Sequence, residues 1–347
     1  MVKRLLTIIS FAATTLCASA QEFGVQYITE VQTDFEKSTN WMNFLRLDAS
    51  LNIGKKGRID FASLHTFKTL DRPVADDWQV FSNIDNDNLA FGLAVLGYTH
   101  QFSDKFKLFA GVRNVNEDYF ISDGTALFVN SSHGIYPTIG ENYPLGNYPY
   151  STLGIHANWA INDSWTVQGS VYNGVARQLF GPDHGLLDIR KDDGIFFIGD
   201  VNYRQESQLP GTYFAGLSYS NKIHGEELTD DKTNLTYWLY GEQSLYKAGE
   251  RHVDLMAQFS QNLSVDFGCK RYMGAGVLLY NILTDKIDNT LGVVVNNADY
   301  DFGDETVIEA TYSLQLTDNI AIQPAYQRIW NDEGNYNAAL LRLNVEF

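Results

Sequence analysis

The chain has 347 residues, and its 42 acidic and 25 basic side chains give a formal net charge of −17. So acidic a chain repels nucleic acid, which excludes a nucleic-acid-binding function. Beyond residue 20, no apolar run reaches the ~18 residues that a transmembrane helix needs. Helices and closed barrels are the two ways to span a membrane, so only the barrel is left as a membrane-spanning structure.

The first twenty residues have the layout of a secretory signal peptide. A short basic start, an apolar stretch over residues 5–16 and small residues at 18–20 follow one another in the order that export requires. We expect residues 1–20 to be cleaved, which leaves 21–347 as one outer-membrane barrel domain. The mature chain keeps a single cysteine, Cys269, which we interpret as an inert small residue.

After this segment, strand-length stretches with alternating apolar and polar residues recur to the end of the chain. In residues 305–316, for example, Ile308 and Ala310 alternate with Glu309 and Thr311. Most stretches have the length that a tilted strand needs to cross the hydrocarbon layer. The predicted strands are 22–32, 41–52, 57–67, 89–102, 106–115, 151–160, 165–173, 195–205, 211–220, 235–246, 252–260, 272–281, 289–297, 305–316, 320–330 and 338–347.

The connections between these strands alternate in length. The short ones are 53–56, 103–105, 161–164, 206–210, 247–251, 282–288 and 317–319. The connections between them are mostly longer: 33–40, 68–88, 116–150, 174–194, 221–234 and 261–271, with 298–304 and 331–337 as short exceptions. Tight turns on one rim and long loops on the other are typical of outer-membrane barrels. The sequence therefore predicts an all-β, sixteen-stranded transmembrane antiparallel barrel with both termini at the periplasmic rim.

Sixteen strands enclose a lumen too wide for side chains to fill, so we expect it to hold water. The longest loop, 116–150, is the third on its rim, and we expect it to fold into the lumen. Its aromatic and amide side chains suit a sugar, and equally suit an ordered loop packed on the barrel wall. The polar strand faces supply the lumen candidates Arg46, Asp48, Arg58, Asp60, Lys107, Arg113, His156, Gln168, Asp200, Asn202, Arg204, Glu242, Glu309, Gln315, Gln323 and Arg342.

At the long loop the sequence resembles a known family. The stretch FAGVRNVNEDYF…ALFVNSSHGIYP, followed by YPYSTLGIHANWAINDSWTVQGSVYNG and the closing LRLNVEF, is similar to the carbohydrate-selective porins over most of residues 89–347. The resemblance implies a sixteen-stranded porin for mono- and small oligosaccharides, with Arg113 and Glu117 at the constriction. The full set of predicted substrate or constriction residues is Arg46, Arg58, Arg113, Asn116, Glu117, Phe128, Asn130, Ser131, His133 and His156.

This interpretation brings expected partners and a location. We expect passage of sugars down their gradient through the Gram-negative outer membrane, contact with its lipid and lipopolysaccharide, and recognition by the barrel-assembly machinery. The C-terminal Phe347 after an alternating strand fits that recognition. The protein is expected to be a monomer or a homotrimer, and no cofactor or resident metal is expected.

Other functions stay open at this point. A non-specific diffusion porin would differ only in lacking a sugar site. A barrel-borne hydrolase would need a triad assembled from distant strands, because no local catalytic motif is present. A soluble secreted β-protein such as a propeller would show internal repeats, which we do not find. The acidic stretches 299–305 and 85–87 lack a full calcium-ligand series, which favours a solvated acidic surface.

Overall fold

The structure is a computed structural model that describes residues 22–36, 38–177, 189–223, 232–264, 267–284 and 286–347. The predicted signal peptide lies outside these residues. Within them, sixteen antiparallel strands form one closed barrel in which each strand pairs with its neighbours in sequence. The strands are β1 Glu22–Thr33, β2 Thr39–Ile53, β3 Gly57–Lys68, β4 Leu89–Ser103, β5 Phe106–Arg113, β6 Thr152–Ala160, β7 Trp165–Asn173, β8 Ile195–Gln205, β9 Gly211–Ser220, β10 Asn234–Ala248, β11 Arg251–Asn262, β12 Cys269–Tyr280, β13 Asn289–Tyr300, β14 Gly303–Thr317, β15 Ile320–Asn331 and β16 Gly334–Glu346.

The barrel closes where the first strand meets the last. Gln26 of β1 lies opposite Glu346 of β16, and the ladder runs from there to the pair Thr33 and Ala339. Closure removes both sheet edges, so the backbone of every strand finds a hydrogen-bonding neighbour. This confirms the predicted sixteen-stranded antiparallel barrel.

The alternation in sequence becomes an outer and an inner face. In β10 the side chain of Leu239 is 51% exposed, whereas Trp238 and Tyr240 on either side of it are buried. The same holds in β13, where exposed Val293 and Val295 flank buried Val294. Successive strand residues point to opposite faces, so the exposed apolar set is the outer belt.

The rims differ as the sequence predicts. Turns such as 249–250 and 318–319 join strands at the rim that also carries residues 22 and 347, while the opposite rim carries the long connections 69–88 and 114–151. Strand β5 ends two residues earlier than predicted, because the N–H of Val115 donates to the carbonyl of Gly146 within the long loop, at 2.9 Å, instead of continuing the ladder.

Loop 114–151 contains local structure of its own. Two short helices, α1 Asp123–Leu127 and α2 Pro137–Gly140, alternate with two 3₁₀ turns. Ser122 caps α1 by accepting a hydrogen bond from the N–H of Thr125, and the Thr125 hydroxyl accepts from the N–H of Ser122. This reciprocal pairing satisfies backbone donors that a helix start leaves open. No helix in the described parts of the chain is long and apolar enough to cross a membrane.

Candidate functional site

Loop 114–151 is held inside the barrel by glutamates that project from the inner wall. Glu309 of β14 is fully buried and accepts hydrogen bonds from the backbone N–H groups of Val129 and Asn130 at 2.8 and 2.9 Å. Glu242 of β10 accepts from the N–H of Gly124 at 3.0 Å. Charge-assisted bonds of this kind stabilise a buried carboxylate that would otherwise be costly.

Aromatic packing fixes the same loop against strands β7 to β13. Phe120 lies 5.1 Å from Trp238 between ring centroids, and Tyr136 stacks on Tyr272 at 5.2 Å. Tyr119 joins them by hydrogen-bonding to Ser170 at 2.8 Å. Aromatic pairs at these distances stabilise beyond the burial of their area, so this side of the lumen is packed protein.

Loop 69–88 also enters the lumen, which the sequence reasoning missed. Glu305 of β14 accepts from the N–H groups of Trp78 and Gln79 at 2.8 and 2.9 Å, repeating the arrangement at Glu309. Loop 69–88 also contacts loop 114–151, because the Tyr148 hydroxyl donates to the carbonyl of Ile84 at 2.8 Å. The available signal was the group of apolar residues in mid-loop, Trp78, Phe81 and Ile84, which a solvated loop would not need.

On the opposite side, along β1 to β6, a polar cavity of about 800 Å³ is left open. It runs from loop 114–151 to the short-turn rim. Its charged lining residues are Glu22, Arg46, Asp48, Lys55, Lys56, Arg58, Asp60, Lys107, Arg113, Glu117 and Asp118. The other side chains that line the cavity are uncharged, so the charged residues determine which solutes this wall can attract.

Arg46 of β2 lies at the loop end of the cavity between two carboxylates. Its guanidinium donates to Glu117 of loop 114–151 at 2.7 Å and to Asp48 of its own strand at 2.9 Å. A planar guanidinium presents several donors in fixed directions, which lets it bridge the wall and the loop at once. The bridge positions the loop edge over the cavity.

Arg113 makes a second bridge beside the first. A guanidinium nitrogen of Arg113 lies 3.1 Å from a carboxylate oxygen of Asp118. The guanidinium carbon lies 4.6 Å from the ring centroid of Phe109. His156 of β6 approaches the same carboxylate, with Nε2 at 3.4 Å, while its Nδ1 contacts the Ser170 hydroxyl at 2.8 Å. Burial raises the pKa of Asp118 to about 6, an effect that the positive charge of Arg113 opposes.

The predicted residues therefore fall into two groups. Arg46, Arg113, Glu117 and His156 come together at the loop end of the cavity. Arg58 lines the cavity closer to the short-turn rim, where its Nε lies 2.8 Å from Asp60. The sequence reasoning did not single out Asp118, although it directly follows Glu117 and pairs with Arg113.

The second group lies away from the cavity. Phe128, Asn130 and His133 are buried, and none of them lines it. Asn130 donates to Gln327 at 3.1 Å, and the Ser131 N–H donates to the carbonyl of Val80 at 3.0 Å.

His133 and Asn116 complete that group. His133 contacts Gln258 at 3.0 Å and Asn296 at 3.1 Å, and burial lowers the pKa of His133 to about 4, so it is neutral at pH 7. Asn116 is exposed, and its side-chain oxygen accepts from the N–H of Tyr148 at 3.0 Å. For these residues, the contacts are those of an ordered loop packed on the barrel wall. A sugar-binding loop was the other interpretation of the loop's composition.

Metal ligation finds no support in the described part of the chain. None of its histidine, cysteine, aspartate or glutamate side chains form a group of three that could hold an ion. Cys269 is buried, and its sulfur lies 3.5 Å from the carbonyl of Arg271. The arginines and carboxylates at the cavity form ion pairs instead.

A closed sixteen-stranded barrel with an apolar outer belt, loops folded inside and a charged cavity defines an outer-membrane channel protein. A family model described as carbohydrate-selective porin, OprB family, matches residues 63–347. The chain belongs to this porin family. The family and the closed barrel together imply a channel of the Gram-negative outer membrane. No curated protein matches the chain.

Solved structures agree on the fold. The high-pH structure of Pseudomonas putida OprB is 15% identical, covers 97% of this chain and 96% of its own, and has a TM-score of 0.78. The low-pH structure of the same protein has a TM-score of 0.64 at 14% identity, with the same coverage. A loop L8 deletion mutant of OmpT from Vibrio cholerae has a TM-score of 0.59 at 12% identity and covers 94% of this chain and 98% of its own.

Proposed function

We propose that the cavity along β1 to β6 is the pathway by which monosaccharides and small oligosaccharides diffuse into the periplasm. The observation that carries this proposal is the pairing of charge at its loop end. Arg46 is bound to Asp48 and Glu117, and Arg113 is bound to Asp118, so each guanidinium faces a carboxylate within about a hydrogen-bond length.

Such pairs suit a polyol. A sugar hydroxyl donates and accepts, so it can bind a carboxylate and a guanidinium together. The side chains of Arg113 and Asp118 both line the cavity and stay partly exposed, at 15% and 13%, so the pair presents donors and acceptors to a solute. Paired charges also cancel at a distance, which lowers the attraction for simple ions.

The binding that selects must also be weak. A channel has to release what it binds, so a few hydrogen bonds at one constriction serve better than an enclosing site. We assign Arg46, Arg113, Glu117 and His156 to this constriction. We assign Phe128, Asn130, Ser131 and His133 to holding the loop in place.

A non-specific diffusion porin is the alternative, and liposome swelling separates the two. We expect glucose and maltose to swell vesicles faster than neutral amino acids of equal size. Equal rates for sugars and amino acids of the same size would contradict selectivity and leave a general porin.

The remaining expectations concern biogenesis and surroundings. The exposed apolar residues of the outer belt, among them Leu217, Leu239 and Leu255, suit contact with lipid. We also propose that the long-loop rim contacts lipopolysaccharide. We propose cleavage after residue 20 and recognition of the last strand by the assembly machinery. Mass spectrometry of the mature protein tests the cleavage, and the mass of the unheated detergent complex distinguishes a monomer from a homotrimer.

A further inference from the structure

The lysines of the cavity differ from its arginines. Each of the three lining arginines has a carboxylate oxygen within 3.1 Å: Arg46 on Asp48 and Glu117, Arg58 on Asp60, Arg113 on Asp118. The lining lysines Lys55, Lys56 and Lys107 have no carboxylate within 4.0 Å among the described residues. The arginines are committed to partners, whereas the lysines carry free charge.

Among the described residues that line the cavity, Lys107 is the strand-borne cation without a carboxylate within 4.0 Å. Lys55 and Lys56 sit in the turn between β2 and β3, at the rim. Lys107 instead lies on the same face of β5 as inward-facing Phe109, two residues along, and its side chain is exposed to the cavity. Its neighbours across the ladders are Gln101 and Asn158, both neutral amides.

The cavity as a whole is positive in a strongly negative protein. Its lining has six basic and five acidic side chains, whereas the whole chain has a net charge of −17. Low-dielectric walls focus the field of such an excess along a pore. The Lys107 charge also reaches the constriction, since it adds to the effect of Arg113 in opposing the rise in the pKa of Asp118.

We propose that Lys107 is an anion-recognition site on the sugar pathway, and that the channel prefers sugars carrying a single negative charge, such as hexuronates and their short oligomers. The carboxylate would bind the ammonium of Lys107, and the flanking amides of Gln101 and Asn158 can donate to it. A single cation at this point of the described cavity wall matches one carboxylate better than a phosphate ester, which carries about −1.5 to −2 at pH 7. This inference rests on the proposed sugar pathway.

The test compares glucuronate with glucose, which differ in charge and little in size. Purified protein in uncharged liposomes at low ionic strength should pass glucuronate about threefold faster than glucose. Lys107→Gln should lower the ratio of the glucuronate rate to the glucose rate to about one, whereas Lys107→Arg should keep the preference. Lys247→Gln, a change of the same type in the exposed end of β10 outside the cavity, is the matched control.

Salt dependence gives a second readout on the same vesicles. The preference should fall as the ionic strength rises from about 0.01 M to about 1 M, because the Debye length shrinks from about 30 to about 3 Å. Equal rates for the two sugars in the wild-type protein, or an unchanged preference in Lys107→Gln, would overturn the inference and leave the sugar pathway standing. Failure of both sugars to permeate the wild-type protein would overturn the pathway and the inference together.

Discussion

Replacing Glu309 by glutamine should release loop 114–151 from the barrel wall. The carboxylate accepts from two backbone N–H groups, those of Val129 and Asn130, and it is fully buried. Glutamine keeps one acceptor oxygen and turns an amide N–H₂ toward the second donor, so one bond is lost and the other loses its charge assistance. A bond of this type contributes about 1.5–3 kcal/mol, so a cost of about 2–3 kcal/mol raises the undocked population about 30- to 150-fold.

The undocked loop should be visible in two ways. Single-channel records of Glu309→Gln should show brief openings of higher conductance, because the loop no longer fills its side of the lumen. The amide hydrogens of Val129 and Asn130 should exchange faster by the same factor. Glu346→Gln, which makes the same change at an exposed position near the end of β16, should change neither measurement. Unaltered conductance and exchange in Glu309→Gln would refute the view that this carboxylate holds the loop.

Three further predictions concern the constriction and the closure between β1 and β16. Arg113→Ala should weaken the block of channel current by sugar about tenfold, since a charged donor contributes about 1.5–3 kcal/mol; unchanged block would remove Arg113 from the site. Asp118 has a pKa raised to about 6, so it is ionised above that pH and neutral below it. Reversal potentials should therefore shift toward anions as the pH falls from 8 to 5, and Asp118→Asn should abolish the shift. Arg342 donates to buried Glu30 at 2.6 Å. Arg342→Ala should leave that carboxylate without its cation, with only the hydrogen bonds from Gln32 and Ser82, cost about 3–5 kcal/mol and lower the unfolding temperature. An unchanged temperature would show that these two hydrogen bonds suffice for Glu30.

The strands could be predicted because their pattern has a local cause. A barrel wall separates lipid from the lumen, so apolar and polar residues must alternate along a strand such as β14 whatever its partners are. The sequence of the strand alone therefore shows the pattern. Strand ends follow less strictly, because the rims are wet on both faces. β10, for example, runs to Ala248 through a register shift between Ser244 and Tyr246, where the alternation changes phase.

The constriction could be predicted only in part. Arg46 and Arg113 point inward because of their positions in alternating strands, which fixes a face without reference to the rest of the chain. His133 has no such constraint. Its burial depends on Gln258 and Asn296, which come from strands 125 and 163 residues away. The position of loop 69–88 in the lumen could not be predicted for the same reason, because it depends on a hydrogen bond to Glu305, more than 220 residues away in sequence.

The two sides of the lumen have different tasks, and their chemistry shows it. Along β7 to β15, aromatic rings and buried glutamates such as Glu309 hold the loops, and a substitution there leaves a cavity or an unpaired donor. Toward the short-turn rim of β1 to β6, side chains such as Lys107 face a solvated cavity, where Lys107→Gln alters charge without removing a packed partner. Solute preference can therefore be changed on one wall while the fold and the position of the loop are maintained by the other.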